Sequence, residues 1–113
     1  MALRINPRLL TGTFDYYEFE ENDVWMEPNY ADPVVIQNVR LDEEQASNAT
    51  SLGASEAKIR AVAFVYVSDT TPLVKFKRRS KVVTPNGSYH IHKVVEVNEP
   101  FEKKLWSVEL ELI

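Results

Sequence analysis

The sequence predicts an all-β protein, a small β-barrel or sandwich of about six antiparallel strands with one long flexible loop. Three observations carry that prediction. The closing run Leu105-Trp106-Ser107-Val108-Glu109-Leu110-Glu111-Leu112-Ile113 alternates with period two, placing Trp106, Val108, Leu110 and Leu112 on one face and Ser107, Glu109 and Glu111 on the other. Pro85-Asn86-Gly87-Ser88 separates two strand-like runs. Asn-Gly in that setting signals a hairpin of the type I′ kind, whose two central residues both need positive φ. Apolar runs of strand length recur along the chain with turn residues between them, and no long segment of helical period appears.

The elements follow in order. Residues 13–19 form the first strand, rich in aromatics at Phe14, Tyr16, Tyr17 and Phe19. Residues 20–33 have loop composition around Trp25 and Met26. The second strand covers 34–41, where Val35, Val39 and Leu41 alternate with polar partners. The third covers 58–67 and is apolar on both parities, so it sits centrally or faces a partner subunit. The fourth covers 74–84 and the fifth 88–97, where Tyr89, Ile91, Val95 and Val97 oppose Ser88, His90, His92 and Glu96. The sixth covers 104–112, after a loop marked by Pro100.

Residues 42–57 break this rhythm. They are polar, rich in small residues and almost without core formers, so they bury too little apolar area to offset the entropy of ordering them. A loop of that length in a compact domain is usually functional or disordered. We expect it to be mobile in an isolated subunit, either as an ordinary flexible insertion or as a segment that orders only in an assembly.

At 113 residues the chain is expected to form a single domain, 1–113, which removes about two-thirds of its unfolded surface from water. With no cysteine it has no disulfide, thiolate nucleophile or Cys-ligated metal. No apolar run approaches the roughly 20 residues that cross a bilayer, and Met1-Ala2-Leu3-Arg4 opens no signal-peptide pattern. A cytoplasmic product is the expectation.

The net charge of −4 conceals a segregation. Between Arg8 and Arg40 there is no Lys or Arg, while Asp15, Glu18, Glu20, Glu21, Asp23, Glu27 and Asp32 are all negative. By contrast Lys75, Lys77, Arg78, Arg79 and Lys81 crowd five positives into seven residues. On an extended strand Lys75, Lys77, Arg79 and Lys81 share one face. Such a stripe is a solvated edge guarded by Lys, a phosphate-binding surface, or one half of a contact between copies. In the last case Glu18, Glu20, Glu21 and Asp23 of one copy meet Lys75, Lys77, Arg78, Arg79 and Lys81 of the next. Unlike patches make a heterologous contact, which generates a ring when the rotation closes.

His90 and His92 lie two apart on a strand and share a face. Metal ligation there lacks a third ligand at a recognisable spacing. No phosphate loop, nucleophile elbow or dinucleotide fingerprint is present. No enzyme activity, metal or cofactor is expected.

Five stretches carry a family resemblance: Leu9-Leu10-Thr11-Gly12-Thr13-Phe14-Asp15-Tyr16-Tyr17, Val39-Arg40-Leu41-Asp42, Phe64-Val65-Tyr66-Val67, Asn86-Gly87-Ser88-Tyr89-His90-Ile91-His92-Lys93-Val94 and Trp106-Ser107-Val108-Glu109-Leu110. Together they resemble the small minor capsid or head-completion proteins of tailed phages and prophages, head–tail connector components called stoppers. The resemblance implies a β-barrel subunit that forms a ring under the portal and adaptor, closes the DNA-filled head and offers a surface to tail-completion proteins. It implies a place at the head–tail junction of the virion, after synthesis in the bacterial host cytoplasm. Phage DNA would pass through the channel without sequence-specific binding, and no membrane is involved. It also implies that residues 42–57 face the channel, making Asp42, Glu43, Glu44, Ser47, Asn48, Thr50, Ser51 and Leu52 candidates for a gate.

A rival reading is a monomeric module of the oligonucleotide-binding (OB) barrel type for single-stranded nucleic acid. It would use the basic stripe with Tyr66, Tyr89 or Phe76 as stacking platforms. A metal-dependent enzyme built on His90 and His92 is a third.

Overall fold

The computed structural model describes residues 5–20, 29–43, 59–101 and 103–113. Six strands close a barrel in the order β1-β4-β5-β8-β7-β6, and every pairing is antiparallel. They are β1 (Gly12–Tyr17), β4 (Val34–Asp42), β5 (Ala61–Tyr66), β6 (Lys81–Thr84), β7 (Gly87–Asn98) and β8 (Leu105–Leu112). A two-residue ribbon, β2 (Phe19–Glu20) with β3 (Asn29–Tyr30), stands beside the barrel. A 3₁₀ turn at Pro7–Leu9 leads in, capped by Asn6, whose Oδ1 accepts from the Arg8 N–H at 3.0 Å.

Alternation fills the interior. Phe14 and Tyr16 of β1, Ala61, Ala63 and Val65 of β5, Val82 of β6, Tyr89 and Ile91 of β7, and Val108, Leu110 and Leu112 of β8 are all buried in one core. Each large aliphatic or aromatic side chain so removed from water contributes about 1.5–3 kcal/mol. Small Ala61 and Ala63 share this core with large Phe14 and Phe76, as a narrow barrel requires when small and large residues must fit together. β5 lies between β4 and β8, as its two apolar parities suggest. Its outward Val62 and Phe64 are half-buried, and the Arg40 guanidinium lies 5.3 Å from the Phe64 ring centre.

Two extra residues interrupt the alternation. In β4 the buried residues are Ile36 and Val39, three apart, because Asn38 is inserted between Gln37 and Val39 with φ 61°. Such a bulge needs the left-handed region, which Asn tolerates better than most residues. Its carbonyl accepts from Thr70 Oγ1 at 2.8 Å, and its Nδ2 donates to the Asp69 carbonyl at 3.2 Å. Opposite it, Gly12 lies so close that a Cβ there would sit 2.9 Å from the Val39 carbonyl oxygen. In β7 the register skips His92, since Ile91 faces Leu112 and Lys93 faces Glu111. Val94, not Val95, is therefore the next side chain packed on the core.

The fourth expected strand is much shorter than 74–84. Only Lys81–Thr84 pairs in the barrel, because Phe76 turns inward against Phe14 and Tyr16 and Arg79 takes φ 72°. The hairpin that follows is real but its turn is different. Thr84 faces Gly87, so the central residues are Pro85 and Asn86. Neither has positive φ, and the ring of Pro85 forbids it there. This is a type I arrangement, with Pro second and Gly fourth, in place of the I′ turn expected from Asn-Gly. The first expected strand divides at Glu18 into β1 and β2, and Asn29–Tyr30, expected as loop, pairs with Phe19–Glu20.

Candidate assembly interface

Tyr16 organises the corner where the basic residues gather. Its ring packs edge-on to Phe76 at 5.0 Å. Its hydroxyl accepts from the Lys77 N–H at 2.9 Å and shares a hydrogen bond with Ser80 Oγ at 3.2 Å. Ser80 is fully buried, and its Oγ also accepts from the Phe19 N–H at 2.9 Å. Burial pushes the Tyr16 hydroxyl above its ordinary 10.0, partly opposed by the hydrogen bonds from Ser80 and Lys77. The chain from Phe76 to Ser80 is thus held by inward-facing groups, and the residues between them, Lys77, Arg78 and Arg79, are exposed.

These cations also make contacts within their own chain. Lys77 Nζ donates to the Phe19 carbonyl at 3.1 Å, and the Arg79 guanidinium lies 4.6 Å over the Phe19 ring. Lys81 Nζ lies 5.4 Å over Tyr17, its cross-strand neighbour. Arg78 Nε donates to the His92 carbonyl at 2.9 Å, occupying a group at the β7 bulge. The four charges fan around one corner instead of forming the expected straight stripe, because residues 75–80 are not a strand. Lys75 is exposed before the inward turn at Phe76. Phe19, which takes these contacts from Lys77 and Arg79, stands between Glu18 and Glu20 in sequence. Glu21 and Asp23 lie outside the described residues.

Of the loop candidates, Asp42 ends β4 opposite Val62. Glu43 fastens the β6–β7 turn: its carboxylate accepts from Thr84 Oγ1 at 2.5 Å and from Asn86 Nδ2 at 2.7 Å. Glu44, Ser47, Asn48, Thr50, Ser51 and Leu52 lie outside the described residues. The Glu43 clamp was not foreseeable from sequence spacing, since the partners are some forty residues apart.

The proposed stacking platforms do not stand at the surface. Tyr66 and Tyr89 are 6% exposed and Phe76 is 7% exposed. Tyr66 packs edge-on to Trp106 at 5.5 Å, and the Arg60 guanidinium caps Tyr89 at 4.7 Å. They are core aromatics, chosen as platforms only because sequence gives ring type without depth. His90 is exposed beside Tyr30, with ring centres 6.3 Å apart. Among the described residues no three His, Asp or Glu side chains gather to hold a metal ion, and no helix is long and apolar enough to cross a membrane.

What this geometry defines, as a class, is a small closed barrel that carries its chemistry on its outer wall: fixed charges, cation-capped rings and exposed apolar side chains. The model of the minor capsid protein family matches residues 7–112, nearly the whole chain, and the protein belongs to that family. It is therefore a structural protein of the phage particle. No curated relative and no solved structure matches the chain.

Proposed function

We propose that this minor capsid protein is a head-completion component of the head–tail connector. In this reading copies form a ring under the portal or its adaptor, close the DNA-filled head and present a surface to tail-completion proteins. Family membership over residues 7–112 is the observation that carries the reading. The closed barrel supports it, because a barrel leaves few strand edges through which copies aggregate without control. The segregated charges support it too. From Leu9 to Val39 the chain has acidic residues and no Lys or Arg, while Lys77, Arg78 and Arg79 stand exposed, and the basic corner of one copy set against the acidic segment of the next suits a heterologous ring.

Electron microscopy of particles made without the gene tests the function. DNA-leaking heads without tails are the expected result, and normal tailed particles would reject it. The interface is tested separately by reversing Lys77, Arg78 and Arg79 to Glu together. Because all three are exposed, the subunit should stay folded by circular dichroism while ring formation is lost. Unimpaired assembly of the triple variant would remove the charge contact.

A further inference from the structure

Among the described residues five large apolar side chains stand exposed: Leu9, Val34, Val35, Leu73 and Phe101. Phe101 is extreme at 84%. It occupies the tip of the β7–β8 turn, which is closed by the Glu99 N–H donating to the Lys104 carbonyl at 2.7 Å and by Lys103 at φ 54°. Glu102, Lys103 and Lys104 follow Phe101 in sequence, and the two lysines are exposed. A phenylalanine so placed forgoes nearly all the stabilisation its burial would give.

The barrel wall carries a surface of matching chemistry. Val35 is 50% exposed on β4, and Leu73 is 46% exposed. The Gln37–Thr71 bridge, with both N–H groups donating across it at 2.8 and 3.2 Å, brings the segment leading to Leu73 against β4. Acidic groups border the surface. Asp15 is the cross-strand neighbour of Val35, and Asp32 is exposed just before Val34.

We propose that these are the two halves of one contact between copies of this chain. Phe101 of one copy packs on Val35 and Leu73 of the next, with Lys103 beside Asp15 and Asp32. The two halves are unlike, an apolar knob with Lys103 beyond it and an apolar patch edged by carboxylates. The contact is therefore heterologous and propagates from copy to copy. It deepens the ring reading, on which it rests, and names residues apart from the Lys77–Arg79 cluster.

Sedimentation velocity on purified Phe101→Glu, Val35→Glu and the unaltered protein, up to about 1 mM, tests it. The unaltered protein should form species larger than a dimer, and each variant alone should be monomeric. An equal mixture of the two variants should form a dimer and stop, because one intact knob meets one intact patch. A monomeric unaltered protein at the highest concentration, variants that associate like it, or a mixture that stays monomeric would each overturn the proposal. Circular dichroism verifies folding, and Leu73→Glu replaces Val35→Glu should the latter unfold. Particles carrying Phe101→Glu separate the two readings. If self-association persists while tail attachment is lost, Phe101 serves another protein of the particle and the copy contact is wrong. If the contact holds in solution yet deletion of the gene leaves tailed particles, the head-completion reading fails alone.

Discussion

Tyr16 does two things at one position: its ring fills the core and its hydroxyl satisfies the backbone of the segment that carries the cations. Tyr16→Phe keeps the ring and removes the hydroxyl, leaving the Lys77 N–H without that acceptor. A cost of about 1–3 kcal/mol is expected in urea unfolding, together with faster amide exchange at Lys77. The same residue shapes the alkaline limb of stability. Burial raises the hydroxyls of Tyr16, Tyr66 and Tyr89 above 10.0, so the folded state holds their protons more tightly than the unfolded chain. Their contribution is complete below pH 10.0 and is lost as pH rises through the raised values. Unfolding free energy measured from about pH 8 to about pH 11 should therefore fall at the alkaline end, and less steeply in Tyr16→Phe. Gly12 is constrained from outside. Gly12→Ala places a Cβ against the Val39 carbonyl and should cost about 1–3 kcal/mol in the same assay.

Among the elements, the β6–β7 hairpin depends on Thr84. Its Oγ1 accepts from the N–H groups of Asn86 and Gly87, both at 3.1 Å, and donates to Glu43. Thr84→Val keeps the shape and removes every one of these bonds. The expected loss is about 1–3 kcal/mol, with Asn86 and Gly87 amides exchanging faster; unchanged exchange would show that the turn residues alone hold the hairpin. The strands themselves were legible where alternation ran unbroken, as along Val108, Leu110 and Leu112 or Ala61, Ala63 and Val65. Legibility ended at the bulges. Asn38 and His92 sit inside strand-like text, and nothing in residue type announces that each is skipped, so Val95 was placed on the face of Ile91 where Val94 in fact packs on the core. The basic run failed for a related reason. Alternating Lys and Arg read as a strand, but Phe76 and Ser80 belong to the core, and satisfying both bends the chain out of the sheet. Charge segregation was legible as a list of residues, whereas the approach of Lys77 and Arg79 to Phe19 depends on pairings more than fifty residues apart.

At the scale of the molecule, closure is what turns these local choices into one object. β1 pairs on one side with β4 and on the other with β6. Ala63 is fully buried on β5, and Ala63→Leu, adding bulk there, should lower stability by about 1–3 kcal/mol. If instead it stabilises the protein, the interior holds space that the packing of Phe14 and Phe76 does not fill.

The pairing of β1 with β6 also has a meaning in time. Tyr16 faces Val34 on one side and Val82 on the other, so one edge of the first strand has no partner until the chain as far as Thr84 has left the ribosome. At roughly 5–20 residues per second, that wait lasts several seconds. Throughout it the nascent chain carries an open aromatic edge, and no part of the barrel can finish ahead of the rest. A protein whose first strand is sealed by a strand from far along the chain cannot close its barrel strand by strand, and that edge stays open until the later strand is made.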